Sequence, residues 1–191
     1  RFACTVYLPD DVPSVAATVD VVKVASFEAG DRGFLHRVVA ECARVHRELV
    51  ISTGMMTGED VQLARDVLVP SLVATFLHCV SAYPCPDEQA NLSVITSLHA
   101  SWTRWFGYSD HTTSILTGAF AVMAGAAMLE KHVRPDEADE QNPDVAFGAL
   151  TPGQFAEYVR LVRLAEAMRG DGIKQPQPCE AAMMAYRVTG A

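Results

Sequence analysis

Gly107-Tyr108-Ser109-Asp110-His111 and Glu130-Lys131-His132 are the two runs on which the reading of this chain turns. Each follows a short apolar run, Trp105 to Tyr108 and Ala127 to Leu129, that reads as a buried strand. Between them the segment from Thr112 to Gly125, rich in Ala, Leu, Met and Gly, reads as a helix. A strand, a helix and a strand, with a polar cluster after each strand, make a parallel α/β unit. Neighbouring strands in such a sheet lie about 4.8 Å apart. His111 and His132 are therefore expected side by side at one rim. Two imidazoles so placed can share a metal ion, with Asp110 or Glu130 completing or orienting the site. The plainer alternative is a pair of hydrogen-bonded structural histidines.

The same alternation extends in both directions. Phe2 to Leu8 and the β-branched run Val21 to Ala25 read as strands. A short helix through Thr18, capped by Asp11 or Ser14, separates them. Ser26 to Gly30 reads as an exit loop. Phe34, Leu35, Val38, Val39 and Cys42 have helical spacing and predict a helix over Asp31 to His46. Leu49 to Ile51 and Val73 to Cys79 are the third and fourth strands. A helix starting near Thr57 lies between them, with Val61, Ala64, Val67 and Leu68 as its apolar stripe. Asn91 to Leu98 predicts a short helix, and Arg134 to Ala149 an acidic, irregular loop. Thr151-Pro152 opens a helix that Gly170-Asp171-Gly172 ends. A short apolar piece follows, from Ala181 to Tyr186.

Successive strand ends at Ser26, Ser52, Cys79, Ser109 and Glu130 lie about 21 to 30 residues apart, against about 31 per unit in a (β/α)8 barrel. No Gly-x-Gly-x-x-Gly turn points to a dinucleotide fold. The expected fold class is α/β, a TIM (β/α)8-type barrel with six of its eight strands in this chain. Residues 1–170 form the partial barrel and 171–191 a C-terminal tail.

Composition narrows the function. The chain has 191 residues, of which 50% are hydrophobic, and its mean hydropathy is +0.13. That suits one good core. The net charge of −8, with no Lys/Arg cluster, argues against a nucleic-acid surface. No apolar run is long enough to span a bilayer, so no membrane partner is expected. Five cysteines, an odd number without Cys-x-x-Cys spacing, point away from disulfides and zinc knuckles and toward a reducing cytoplasm. The start at Arg1, entering a strand at once, reads as a fragment or a product of processing.

Polar residues recur at the expected strand ends. They are Thr5; Lys23, Ser26 and Glu28; Ser52 and Thr53; Ser81 and Tyr83; Ser109, Asp110 and His111; Glu130 and His132. Several hydroxyls with one lysine suit a phosphate, which they can hold without excess buried charge. Gly54 and Gly107 leave room for close backbone approach. Each hydroxyl has an alternative role as a helix cap, Lys23 could snorkel to solvent, and Glu28 could be a surface carboxylate.

Lys23-Val-Ala-Ser26-Phe-Glu28, Ile51-Ser52-Thr53-Gly54-Met55, Leu77-His78-Cys79-Val80-Ser81-Ala82-Tyr83-Pro84, Gly107-Tyr108-Ser109-Asp110-His111-Thr112 and Glu130-Lys131-His132 occur in that order. Together, from about Phe2 to Arg169, they resemble the sialic acid synthase family, the phosphoenolpyruvate-dependent N-acetylneuraminate and nonulosonate synthases. The resemblance implies a TIM barrel, often followed by a small antifreeze-like domain. It implies condensation of phosphoenolpyruvate with the open-chain aldehyde of an N-acetylated amino sugar, releasing phosphate, with a divalent metal, Mn2+ or Mg2+. Matched by motif, His111 and His132 resemble the metal ligands. Thr5, Lys23, Ser26, Ser52 and Ser109 resemble the groups around phosphoenolpyruvate, and Ser81 stands where the family varies. Glu28, Tyr83 and Asp110 resemble contacts to the sugar, with Glu28 and Asp110 as the catalytic carboxylates. Asp144 resembles an acidic residue of the loop after the last strand.

The resemblance begins at the family's third strand. The acidic residue and the phosphate-binding lysine of the first two strands have no counterpart here, nor does the partner arginine of the antifreeze-like domain. Pro178 to Arg187 resembles the lead into that domain, and Val145 stands where the family usually has His. Completion by further polypeptide, or a homodimer, is the resulting expectation. A non-catalytic or degenerate subunit that needs a partner chain is the alternative, and a different metal-dependent aldolase a third reading.

Overall fold

The computed structural model describes residues 1–101, 106–137 and 141–188. Strands β1 (Ala3–Thr5), β2 (Val21–Val24), β3 (Glu48–Ser52), β4 (Ala74–His78), β5 (Phe106–Asp110) and β6 (Leu129–Lys131) alternate with helices. They form one sheet in the order β1-β2-β3-β4-β5-β6, every neighbouring pair parallel. Each crossover therefore steps one strand in the same sense, as barrel winding requires. The curl is visible in one contact. Lys23 Nζ on β2 lies 2.8 Å from Glu130 Oε1 on β6, four strand spacings away, a gap of about 19 Å in a flat sheet. The fold is a curled half-barrel, six strands of a TIM-type barrel, as the sequence predicts.

The two faces of the sheet differ in kind. Val22, Val24, Leu49, Ile51, Phe76 and Phe106 point outward and form one buried cluster with α1 (Val12–Thr18), α3 (Arg32–Val45) and α4 (Gly58–Asp66). Tyr108 joins a smaller cluster with Ile95 of α5 (Ser93–Ser101) and Ala121 of α6 (Thr117–Met123). α3 buries Phe34, Leu35, Val38, Val39 and Cys42, the face its spacing predicts. Burial pushes the Cys42 thiol up to about 12, leaving it inert packing. The inner face follows from register. Thr5 pairs with Lys23, Ser52 with Leu77, Leu77 with Gly107 and Ser109 with Glu130. A Cβ on Gly107 would lie 2.4 Å from the Met128 carbonyl oxygen, so the sequence needs glycine where β5 and β6 close up.

Local signals set the helix ends. The Asp31 side chain accepts a hydrogen bond from Phe34 N to start α3. Thr57 and Asp60 form a capping box on α4, and Thr151 and Gln154 another on α8 (Pro152–Arg169). α1 has no side-chain cap, contrary to the expectation for Asp11 or Ser14. Ser26–Ala29 is a helical turn, α2, rather than a loop, and Pro143–Ala146 forms α7 inside the segment expected to be irregular. The helix expected from Thr112 starts only at Thr117. β6 runs over Leu129–Lys131 instead of Ala127 to Leu129. Trp105, the expected start of β5, lies outside the described residues. Among the described residues no helix is long and apolar enough to cross a membrane.

Candidate active site

Side chains alternate along a strand, so the residues that end β5 and β6 divide between two faces. Ser109, His111, Glu130 and His132 take the inner one. His111 Nδ1 lies 2.7 Å from the Val80 carbonyl oxygen. A carbonyl only accepts, so Nδ1 carries the proton and Nε2 keeps its lone pair. That Nε2 lies 3.3 Å from Ser109 Oγ. His132 Nδ1 faces Asp144 Oδ1 at 3.4 Å. The ring centroids are 5.7 Å apart. Burial pulls the His111 pKa below its ordinary value, helped by the nearby His132 and opposed by Val80 and Glu130. The ring is therefore neutral at neutral pH.

An imidazole whose Nδ1 is tied to an oxygen, with Nε2 open, is how proteins orient metal-binding histidines. His111 is held this way by Val80, with the Ser109 hydroxyl against its Nε2, and His132 has its Nδ1 3.4 Å from Asp144 Oδ1. Among the described residues no group of three His, Cys, Asp or Glu converges to hold a metal ion. An ion here would take two nitrogens from the chain and its other ligands from water and substrate oxygens.

Tyr83 covers the pair. Its ring centroid is 4.2 Å from that of His111 and 5.8 Å from that of His132. Phe147, unmarked by any motif, closes the wall at 5.2 Å from Tyr83 and 6.0 Å from His132. α7 brings Asp144 and Phe147 here. Asn142 Oδ1 accepts from Asp144 N, and Pro143 follows it at the first helical position. Asn-Pro-Asp is thus a capping signal the sequence does carry.

The opposite wall holds the hydroxyls and the ammonium. Lys23 and Glu130 meet at a cavity of about 270 Å³ lined also by Thr5, Val50 and Leu77. Ser26 Oγ accepts from Gly54 N at 3.0 Å and lies 3.2 Å from Cys79 Sγ. A Cβ on Gly54 would lie 2.1 Å from Ser81 Oγ and 2.8 Å from Ser26 Oγ. The small residue thus lets side-chain hydroxyls converge. Ser52 Oγ, Ser81 Oγ and Glu28 Oε2 are buried without a hydrogen-bond partner. Each such atom costs about 1–3 kcal/mol unless something pairs with it, so three on one side of a barrel mouth mark a place for a polar ligand. Thr53 is different: its hydroxyl donates to the Leu77 carbonyl and ties two strands together.

Asp110 does not lie where its motif suggests. The sequence places it among the groups at the mouth; the structure turns its carboxylate to the outer face. Its Oδ1 accepts from Thr112 N at 2.9 Å and Thr112 Oγ1 at 2.8 Å, and lies 3.2 Å from Lys131 Nζ. The Asp110 and Lys131 side chains are 0% and 2% exposed, closed off from any substrate. The reason is the alternation itself: with Ser109 and His111 inward, Asp110 must point out. Glu130, expected to complete or orient the metal site, pairs instead with Lys23.

Residues 1–174 match the model of the NeuB family. N-acetylneuraminate-9-phosphate synthase of Mus musculus is 36% identical over 166 residues, covering 86% of this chain and 45% of that protein. Pseudaminic acid synthase of Campylobacter jejuni is 36% identical over 154 residues, 78% of this chain and 43% of that one. The crystal structure of N-acetylneuraminic acid synthetase from Leptospira borgpetersenii, in complex with citrate, superposes with a TM-score of 0.84 at 25% identity. It covers 96% of this chain and 63% of that one. A truncated 3-deoxy-D-arabino-heptulosonate 7-phosphate synthase from Thermotoga maritima, at 16% identity and a TM-score of 0.70, shares the fold. The chain spans about half the length of the curated relatives it matches. With the profile running through all six strands and synthases of three nonulosonic acids among its relatives, the chain belongs to the NeuB family.

Proposed function

We propose that this chain carries the metal and phosphoenolpyruvate site of a sugar-acid synthase. The reaction condenses phosphoenolpyruvate with the open-chain aldehyde of an N-acetylated amino sugar, gives a nonulosonic acid and releases phosphate. One observation supports this reading: two imidazoles whose Nδ1 atoms face oxygens share the inner face with Lys23 and the partnerless hydroxyls of Ser52 and Ser81.

His111 and His132 are the proposed ligands of a divalent ion. Imidazole donors suit Mn2+ better than the harder Mg2+. When bound, the ion supplies Lewis acidity toward the aldehyde oxygen. The rest falls to side chains. Lys23 offsets part of the charge of phosphoenolpyruvate, and Thr5, Ser26, Ser52, Ser81 and Ser109 donate hydrogen bonds to its oxygens. Tyr83 and Asp144 bound the sugar side. The methylene carbon forms the new bond to the aldehyde carbon, water adds at the carbon bearing phosphate, and phosphate leaves. Glu28, with an unpartnered buried oxygen, is assigned the proton of that water, the one the former aldehyde oxygen takes up to become the new hydroxyl.

The free thiols among the described residues suit a reducing cytoplasm. β1 and β6 are sheet edges, and uncovered edges recruit other strands. Further polypeptide or a second copy is proposed to cover them. Those edges also favour a second reading, in which the chain is a synthase-like subunit that acts only with a partner. The test is Mn2+-dependent phosphate release from phosphoenolpyruvate with a panel of amino-sugar aldehydes. Release that needs an N-acetylated aldehyde and disappears in His111→Ala and His132→Ala supports the synthase. Full activity in either variant removes the metal site. Release with simple aldehydes alone favours a different aldolase, and binding of Mn2+ and phosphoenolpyruvate without release favours the partner-dependent subunit.

A further inference from the structure

We infer that Asp110 and Lys131 are positioning residues, a cross-strand clamp on the outer face that sets the separation of His111 and His132; the inference rests on the reading of that pair as a metal site. Asp110 and Lys131 are register partners on β5 and β6. Each immediately precedes one of the two imidazoles. Their side chains leave the sheet on the face opposite the rings and meet beneath α8, where the Lys131 ammonium lies 5.7 Å from the centre of the Tyr158 ring.

The clamp grips the Thr112 backbone just after His111 and the Asp110 side chain just before it. Asp110 Oδ1 accepts from Thr112 N and Thr112 Oγ1, at 2.9 and 2.8 Å. Lys131 Nζ donates to the Thr112 carbonyl and pairs with the same Asp110 oxygen. Thr112 Oγ1 lies 2.8 Å from Thr117 Oγ1, which extends the network into the first turn of α6. One ammonium thus fixes the residue before His132 and the residues flanking His111. α8 seals it: the Tyr158 ring packs so closely on Gly118 that a Cβ there would lie 2.2 Å from Tyr158 Cζ.

Stability alone is a weak reason for such a pair. Burying two charges costs about as much as their attraction returns, and apolar replacements are often neutral or better. A shared metal ion supplies another reason, because two ligands on separate strands must be held to within about 0.5 Å. The ion pair supplies that restraint without entering the site.

The test uses Mn2+ alone as probe, with affinity and imidazole-nitrogen couplings read by electron paramagnetic resonance beside the thermal midpoint. Lys131→Met is expected to weaken Mn2+ binding about tenfold or more and to lose the two-nitrogen signature. Asp110→Asn/Lys131→Met, with no unpaired charge left inside, is expected to regain thermal stability without regaining affinity. It carries the comparison if Lys131→Met does not fold. Leu35→Ala, in the distant α3 core, is expected to lower the midpoint and leave affinity unchanged. The clamp is overturned if the double variant binds Mn2+ as the wild type does, or if affinity recovers in step with stability. A wild-type chain without the two-nitrogen signature fells the metal reading and the clamp together. A normal signature retained in both variants fells the clamp alone.

Discussion

Glu130→Gln is expected to tighten the binding of inorganic phosphate at Lys23 about 5- to 30-fold. The Lys23 ammonium is not free: it lies 2.8 Å from Glu130 Oε1, and an anion arriving at Lys23 must first part that pair. The side chains are 20% and 35% exposed, so water screens much of the attraction. Fully exposed pairs contribute about 0.2–1 kcal/mol, and cutting a buried one costs about 3–5 kcal/mol. A half-screened pair falls near the lower range, about 1–2 kcal/mol, which is the stated gain when glutamine keeps the shape and removes the charge. Calorimetric titration of phosphate into wild type, Glu130→Gln, Lys23→Met and the double variant measures it. The gain is expected to shrink in high salt and to vanish in the double variant. Unchanged or weaker phosphate binding in Glu130→Gln would refute the idea that this carboxylate competes with the anion.

Gly54→Ala forces a methyl group into the Ser81 and Ser26 hydroxyls. It is expected to cost about 1–3 kcal/mol in denaturant unfolding and to abolish phosphate binding; an alanine variant that binds normally would exclude the hydroxyl cradle. Asp144→Asn removes the carboxylate facing His132 Nδ1 and is expected to weaken Mn2+ binding about 10-fold or more with little change in thermal midpoint. His78 gives a pH signature. Its Nε2 donates to the Ala90 carbonyl and burial holds its pKa below the ordinary value of about 6.5. As pH falls below that value the unfolded chain takes up more protons than the folded one. The stability His78 contributes is therefore complete at neutral pH and lost as pH drops through the folded-state pKa. Unfolding free energies from pH 7 to 5 are expected to fall less steeply in His78→Gln.

What was legible in the sequence follows one rule of geometry. A period of two along strands and 3.6 along helices locates the buried face of α3 and puts both imidazoles on one rim, because their motifs end adjacent strands. The same rule, applied residue by residue, turns Asp110 and Lys131 outward; grouping residues by motif hides it. The late start of α6 has a local cause. Thr112 is held by Asp110, and Leu116 N donates to Ser114 Oγ. Such side-chain bonds compete with helix in a stretch whose composition favours it. Phe147 left no signal, because its contacts with Tyr83 and His132 join residues far apart in sequence. The Lys23–Glu130 pair was hidden likewise, since only the curl of the sheet brings β2 to β6.

A crystal of the chain grown with Mn2+, with the ion located by its anomalous scattering, shows directly whether the two imidazoles share one ion. One ion is expected, bonded to Nε2 of His111 and Nε2 of His132, its remaining ligands waters facing the hydroxyl wall. An ion bound elsewhere, or two rings that stay apart with no ion between them in saturating Mn2+, would contradict the shared site.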